Sequence, residues 1–231
     1  KEIPLQDGGS LRIRGSVDRV DVLEQDGQQF VRVVDYKSGA KAFRLADIVN
    51  GLNLQMFLYL FNVCADGSNP YAGVPAGVLY MHAARSVMTV ETKRSAEKDI
   101  AGQEDKAFGM NGIVITNPDC DIPAAMEHDL AGKYIPVRLK KSGVGGSLAS
   151  LEQLGLLQRK IEALVADMGN ALQNGQIGQH PVQAKDHDKT CEYCDFASVC
   201  AFKKSVTPRT YDDQTDSAVL AELEKEGESH A

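Results

Sequence analysis

No apolar run in this chain approaches the ~18 residues that cross a bilayer as a helix, and neither a secretory leader nor an internal repeat is visible. A helical membrane protein is therefore not expected. The chain also lacks a basic surplus, with 25 Lys and Arg against 32 Asp and Glu and a formal net charge of −7. Residues 212–231 hold seven acids and one lysine, a contribution of −6, so the other 211 residues are close to neutral. A neutral body does not by itself grip a polyanion strongly. The acidic tail is expected to be disordered or to serve as a helix in an assembly. An even set of cysteines is missing too. There are five, three of them tightly clustered, which argues against a disulfide framework.

What is present begins with a turn. Asp26-Gly27 lies between two strand-like runs and is a strong two-residue hairpin signal. Closing the hairpin there sets residue i opposite residue 53 − i. Val22 then faces Val31, Val20 faces Val33, Leu23 faces Phe30, and Asp21 faces Arg32. The one discordant pair is Asp18 with Asp35. Directly opposed side chains stand roughly 4.5–5.5 Å apart at Cβ, and like charges there are destabilising. Agreement everywhere else implies a compensating cation at the exception. A divalent metal bridging the two carboxylates would serve, and Lys37 projects from the same face as Asp35.

Two carboxylates suit a hard ion such as Mg²⁺ (or Mn²⁺), which keeps several waters and accepts phosphate oxygens as further ligands. The Tyr36 carbonyl, between Asp35 and Lys37, is an acceptable additional ligand. Such an ion lowers the pKa of bound water and stabilises a leaving alkoxide. Lys37 would hold the attacking water or neutralise charge on the phosphate. The expected reaction is metal-assisted phosphodiester hydrolysis.

Leu45 to Cys64 is expected to be one helix, with Leu45, Ile48, Val49, Leu52, Met56, Tyr59, Leu60 and Val63 in a stripe and Gln55 at its edge, one turn before Tyr59. A second stripe of Leu54, Leu58 and Phe61 implies cover on both sides. These residues resemble the PD-(D/E)xK nuclease family in its RecB-type form. Asp35-Tyr36-Lys37-Ser38 resembles the family's second acidic element, and Gly15-Ser16-Val17-Asp18-Arg19-Val20-Asp21 its preceding strand. Gln55 and Tyr59 match its Gln-x-x-x-Tyr helix motif. The likeness is dense over residues 11–60. It implies that Gln55 and Tyr59 border the active site, contacting nucleic acid or organising the metal site. It also implies a further His or Glu ligand on a helix before the first core strand, which this chain does not contain.

Cys191-x2-Cys194-x5-Cys200 offers soft thiolates at short spacing, suited to zinc, with His187 as fourth ligand, or to an iron–sulfur cluster, which needs a fourth cysteine. The element resembles the [4Fe–4S] staple of the B-type chains of AddAB-type helicase–nucleases, where the fourth cysteine precedes the nuclease core. No cysteine precedes Asp18 here, and the chain begins at Lys1 within a strand-like segment. The expectation is an excised domain whose first cluster ligand lies elsewhere, leaving the cluster incomplete and residues 186–205 poorly ordered.

Three segments are expected: a nuclease core over residues 1–185, the cysteine segment over 186–205, and the acidic tail over 206–231. Strands are expected at Ala76–Ala83, Ile113–Ile115 and Ile135–Leu139, with a short helix near Ala124–Leu130. Gly143-Val144-Gly145-Gly146 is expected to be a flexible link. A capping box of Ser150 and Gln153 opens a long helix, with Leu154, Leu157, Ile161, Leu164, Val165, Met168 and Leu172 inward, ended by Gly175. The fold class is α/β, a restriction-endonuclease-like mixed sheet flanked by helices with a C-terminal cysteine-cluster segment. The resemblance implies an exonuclease on single-stranded DNA ends, working with an AddA-type helicase partner during double-strand-break repair in the bacterial cytoplasm. The competing readings are a stand-alone CRISPR-associated or phage RecB-like exonuclease and a non-catalytic DNA-end-binding module.

Overall fold

A computed structural model describes residues 2–39, 42–65, 67–83, 108–185, 191, 194–200 and 208–229. In chain order the elements are β1 (Glu2–Pro4), β2 (Ser10–Arg12), β3 (Arg19–Gln25), β4 (Gln28–Lys37), α1 (Leu45–Val49), α2 (Gln55–Ala65), β5 (Val74–His82), β6 (Met110–Thr116), α3 (Ile122–Met126), β7 (Val137–Lys140), β8 (Gly143–Gly146), β9 (Leu148–Ser150), α4 (Leu151–Gln173), β10 (Val182–Ala184), α5 (Ala197–Cys200), β11 (Arg209–Tyr211) and α6 (Asp216–Ser229). They fall into two compact units. One comprises Gly15–Phe43 and Gln55–Gly155, the other Lys1–Arg14, Arg44–Leu54 and Leu156–Ala231.

The first unit is built on a five-stranded sheet in the order β3-β4-β5-β6-β9. Asp26 and Gly27 both have positive φ, 53° and 76°, as a two-residue type I′ turn requires. The expected register follows, from Gln25 opposite Gln28 to Arg19 opposite Val34. β4 runs parallel to β5, β5 antiparallel to β6, and β6 parallel to β9, so the sheet is mixed as expected. A parallel pair needs a crossover. α2 lies in the chain between β4 and β5 and packs on both. On the opposite face Phe30, Val34, Leu79 and Val114 pack with Ile122, Ile135 and Val137 in one buried cluster.

Glu127 fastens the loop that follows α3. It is 7% exposed, and its carboxylate accepts the backbone N–H groups of Lys133, Tyr134 and Ile135 at 2.9, 3.0 and 3.1 Å. The expected capping box is also present. Ser150 N–H donates to Gln153 Oε1 at 2.8 Å, and Gln153 N–H to Ser150 Oγ at 3.1 Å.

The second unit contains the antiparallel pair β1–β2 and the parallel pair β10–β11. In it α6 packs on α1, with Val219, Leu220 and Leu223 buried. Buried Asp47 is its polar centre. It accepts from Tyr211 Oη at 2.6 Å, Asn53 Nδ2 at 3.0 Å and Arg44 Nη2 at 3.2 Å. Burial, and then the Asp47 hydrogen bond, push the Tyr211 phenol above its ordinary range.

Three expectations are corrected. The helix expected over Leu45–Cys64 is two helices, because Gly51 (φ 89°) and Asn53 (φ 56°) turn the chain through the left-handed region between them. The link expected at 143–146 is strand β8. Of the two readings of the acidic tail the helix is the one found, with Val219, Leu220 and Leu223 buried on one face. The inward stripe of α4 ends at Val165, because Met168 and Leu172 are 43% and 72% exposed. His187 and much of segment 186–205 lie outside the described residues.

Glu127 carries a pH signature. Burial pushes its carboxyl up, but the backbone N–H donors outweigh that and hold it below the usual carboxylate value. A depressed folded value means the stabilisation is complete above the unfolded value of ~4.3 and fades as pH falls through the folded one. Glu127→Ala is expected to cost about 3 kcal/mol at pH 7, because it strands buried donors of hydrogen bonds to a charged group. Urea unfolding from pH 7 to pH 3 should find the gap between Glu127→Gln and the parent closing toward the acid end.

Candidate active site

β4 enters the sheet as a buried row, with Val31, Val33 and Val34 each at most 1% exposed, and then places a carboxylate in that wall. Asp35 is 6% exposed and pairs across the ladder with Tyr80. It lies on the α2 side of the sheet, where Phe43 bridges Tyr80 and Phe57 at ring-centroid distances of 6.4 and 6.2 Å. Asp35 Oδ2 is enclosed, with no hydrogen-bond donor aligned on it. Lys37 Nζ lies 2.6 Å from that oxygen, a direct ion pair outside hydrogen-bond alignment, and 5.7 Å from the centroid of the Tyr80 ring. The pair is mostly shielded on the Asp35 side and one-third exposed on the lysine side.

The ladder of β3 stops one residue short of the expected Asp18–Asp35 pair. Asp18 is a bend residue, and its Oδ2 accepts the Tyr36 N–H at 3.1 Å. A side-chain oxygen takes the backbone donor at the point where strand pairing ends. This arrangement relieves the repulsion that direct opposition would impose. Asp18 therefore reaches the Asp35–Tyr36 peptide rather than standing in a ladder pair with Asp35.

Gln55 and Tyr59 are joined, Gln55 Nε2 donating to Tyr59 Oη at 2.8 Å. The Tyr59 ring lies against Gly15, where a Cβ would stand 2.5 Å from Cε1 and 2.7 Å from Oη. The approach to Asp18 is thus tied to the Gln-x-x-x-Tyr pair. Sequence reasoning missed this contact. Its signal was the glycine three residues before the first acid.

Arg19 and Asp21, from the same motif, point to the other face. Asp21 accepts from Arg19 Nε at 2.7 Å and Arg32 Nε at 2.8 Å, and Arg19 Nη1 donates to Tyr36 Oη at 3.4 Å. Burial raises the Asp21 carboxyl, but the hydrogen bonds from Arg19 and Arg32 prevail and hold it below its ordinary value. A cavity of about 490 Å³ opens beside them, floored by Phe30, Ala76 and Ile122.

The donor set fits a hard ion. Asp35 Oδ2 is an enclosed oxygen lacking an aligned donor, and Asp18 and the Tyr36 backbone adjoin it in the chain and by hydrogen bond. Among the described residues no three His, Cys, Asp or Glu side chains gather into a metal-holding group. An ion that keeps several waters does not require three.

In the second unit Cys191 is half-buried, and Cys194 and Cys200 are exposed. Cys194 N–H donates to the Cys191 carbonyl at 3.4 Å, and Cys200 N–H to the Phe196 carbonyl at 2.8 Å, closing a turn and the short α5. Three thiols are one short of the four that hold an iron–sulfur cluster.

The chain is similar to the B-type chain of the ATP-dependent helicase/deoxyribonuclease of Bacillus cereus, 32% identical over 97% of the chain and 20% of that protein. The proteins of the same name from Clostridium acetobutylicum and Listeria monocytogenes serotype 4a are 30% and 28% identical, again over 20% of their length. The chain thus spans a fifth of these relatives, and no helix among its described residues is long and apolar enough to cross a membrane. Residues 1–201 match the family model for the PD-(D/E)XK nuclease superfamily, and the chain belongs to that superfamily.

Proposed function

We propose that this domain is a Mg²⁺-dependent deoxyribonuclease that hydrolyses phosphodiester bonds of single-stranded DNA ends as part of a helicase–nuclease. The strand would be delivered by a helicase partner of AddA type during double-strand-break processing in the bacterial cytoplasm. The observation that carries this reading is the enclosed Asp35 oxygen with Lys37 2.6 Å away, at the end of the ribbon where Asp18 takes the Tyr36 N–H. The names of the helicase/deoxyribonuclease relatives support the setting.

Asp18, Asp35 and the Tyr36 carbonyl would hold the ion, Mg²⁺ or Mn²⁺. When bound it supplies Lewis-acid stabilisation and a more acidic water. Asp35 is sunk in a packed wall, so its carboxylate is fixed before substrate arrives. Lys37 exchanges part of its contact with Asp35 for the scissile phosphate, where its charge opposes the negative charge of the transition state. The Tyr36 N–H orients Asp18. Gln55 and Tyr59, joined by their hydrogen bond, border the site and seat the strand against Gly15.

Cys191, Cys194 and Cys200 supply three ligands of a [4Fe–4S] cluster, the fourth coming from another part of the longer polypeptide. Full-length protein purified anaerobically is expected to contain close to four irons and four acid-labile sulfides. Cys194→Ser should lower both, and unchanged iron content would remove the assignment.

The chemistry is tested with full-length protein, a 5′-labelled single-stranded oligonucleotide and Mg²⁺. Asp35→Ala and Lys37→Ala are each expected to slow cleavage at least 100-fold, about 2.7 kcal/mol or more of transition-state stabilisation. Cleavage at the parent rate in either variant would refute the assignment. Gly15→Ala should displace the Tyr59 ring and slow cleavage about tenfold while metal affinity, measured by Mn²⁺ titration, stays unchanged.

A further inference from the structure

The β7–β8 ribbon, within the unit that carries the acids, does not belong to the five-stranded sheet. Among the described residues it pairs only with itself, from Val137 opposite Gly146 to Lys140 opposite Gly143. Its root is fixed. Val137 is fully buried, Ser147 N–H donates to the Pro136 carbonyl at 2.9 Å, and Leu139 N–H to the Leu130 carbonyl at 2.8 Å. Gly146, at φ 141°, leaves no room for a side chain above Pro136.

Beyond that root the ribbon is exposed and chemically two-sided. Strand alternation puts Arg138 and Lys140 on one face. Their partners across the ladder are Gly145 and Gly143, so no side chain opposes them. The Lys140 stem lies over Gly145, where a Cβ would be 3.3 Å from Cδ and Cε. Lys141 follows at the tip. On the other face Leu139 and Val144 pair, 64% and 45% exposed.

Arg138, Lys140 and Lys141 make no ion pair among the described residues. Three cations within four residues, none of them ion-paired among the described residues, in a chain of net charge −7, mark a local binding potential rather than a general one. Arg138 and Lys140 stand ~6.6 Å apart along the strand instead of converging on a point, which suits a chain of charges over a single anion. A glycine floor lets a backbone approach closely. The adjoining apolar pair can rest against bases only where these are unpaired and splayed out.

We infer that the β7–β8 ribbon is a binding site for single-stranded nucleic acid, with Arg138, Lys140 and Lys141 on successive phosphates and Leu139 and Val144 against the bases. This rests on the nuclease reading for its substrate, and it adds a gripping element that the neutral body otherwise lacks.

The test uses full-length protein with EDTA, so that binding is measured without cleavage. A fluorescent single-stranded oligonucleotide is followed by anisotropy across a salt series. The combined variant Arg138→Gln, Lys140→Gln, Lys141→Gln is expected to bind about tenfold more weakly, with the slope of log affinity against log salt reduced by about two, three contacts at ~0.7 each. Gly145→Asp, which places a carboxylate beneath Lys140 at a position of ordinary backbone conformation, should weaken binding severalfold. A photoreactive benzophenone residue in place of Leu139 should crosslink to the oligonucleotide. Unchanged affinity and slope, or no crosslink at position 139, would overturn the inference, as would variants that lose only poly-glutamate binding. Asp35→Ala separates the two readings. If it still cleaves with Mg²⁺ while the ribbon variants bind poorly, the catalytic assignment fails and the ribbon stands. If it loses cleavage while the ribbon variants bind normally, the ribbon fails alone.

Discussion

The register of the β3–β4 ribbon governs everything at the candidate site. Side chains alternate with period two, so a slip of one residue would carry Asp35 from the α2 side of the sheet to the other. Asp26 and Gly27 prevent that slip, since both occupy the left-handed region that a two-residue loop demands. Once the register is fixed, Asp35 has to enter a wall of buried valines. An isolated carboxylate there would cost several kcal/mol, and the Lys37 ammonium offsets it at 2.6 Å.

Neighbouring residues on this ribbon serve opposite faces. Asp35 belongs to the α2 side, and Arg19 joins Asp21, Arg32 and the Tyr36 hydroxyl on the other. Tyr36 is the hinge of this arrangement. Its N–H is held by Asp18 and its hydroxyl by Arg19, so two consecutive side chains act on one residue. The strand ends stay together past the last ladder pair because these two contacts replace the missing backbone bonds.

Local chemistry was legible in the sequence, and long-range closure was not. The Asp-Gly turn, the Asp21–Arg32 pair and the Ser150–Gln153 box each depend on residues a few positions apart or on a register already set, and each was found as expected. The end of the β3 ladder was misjudged because pairing rules extend a strand until something opposes it, and here the opposition is between the two acids themselves. The helix break was hidden because Asn50, Gly51 and Asn53 interrupt an apolar period without erasing it. Strand β8 was hidden by its glycines, which have little strand preference of their own and are held by pairing with β7. The Asp47–Tyr211 bond joins residues 164 apart, beyond the reach of any periodicity.

Both acids are already answered from within the chain, Asp18 by a peptide N–H and Asp35 by an ammonium. The ribbon therefore does not wait on an ion to fold, unlike domains whose ligands repel one another until the metal arrives. Under the proposed metal dependence, scarcity of the divalent ion would idle such a protein without dismantling it, and replenishment would restore work at the pace of diffusion rather than of refolding.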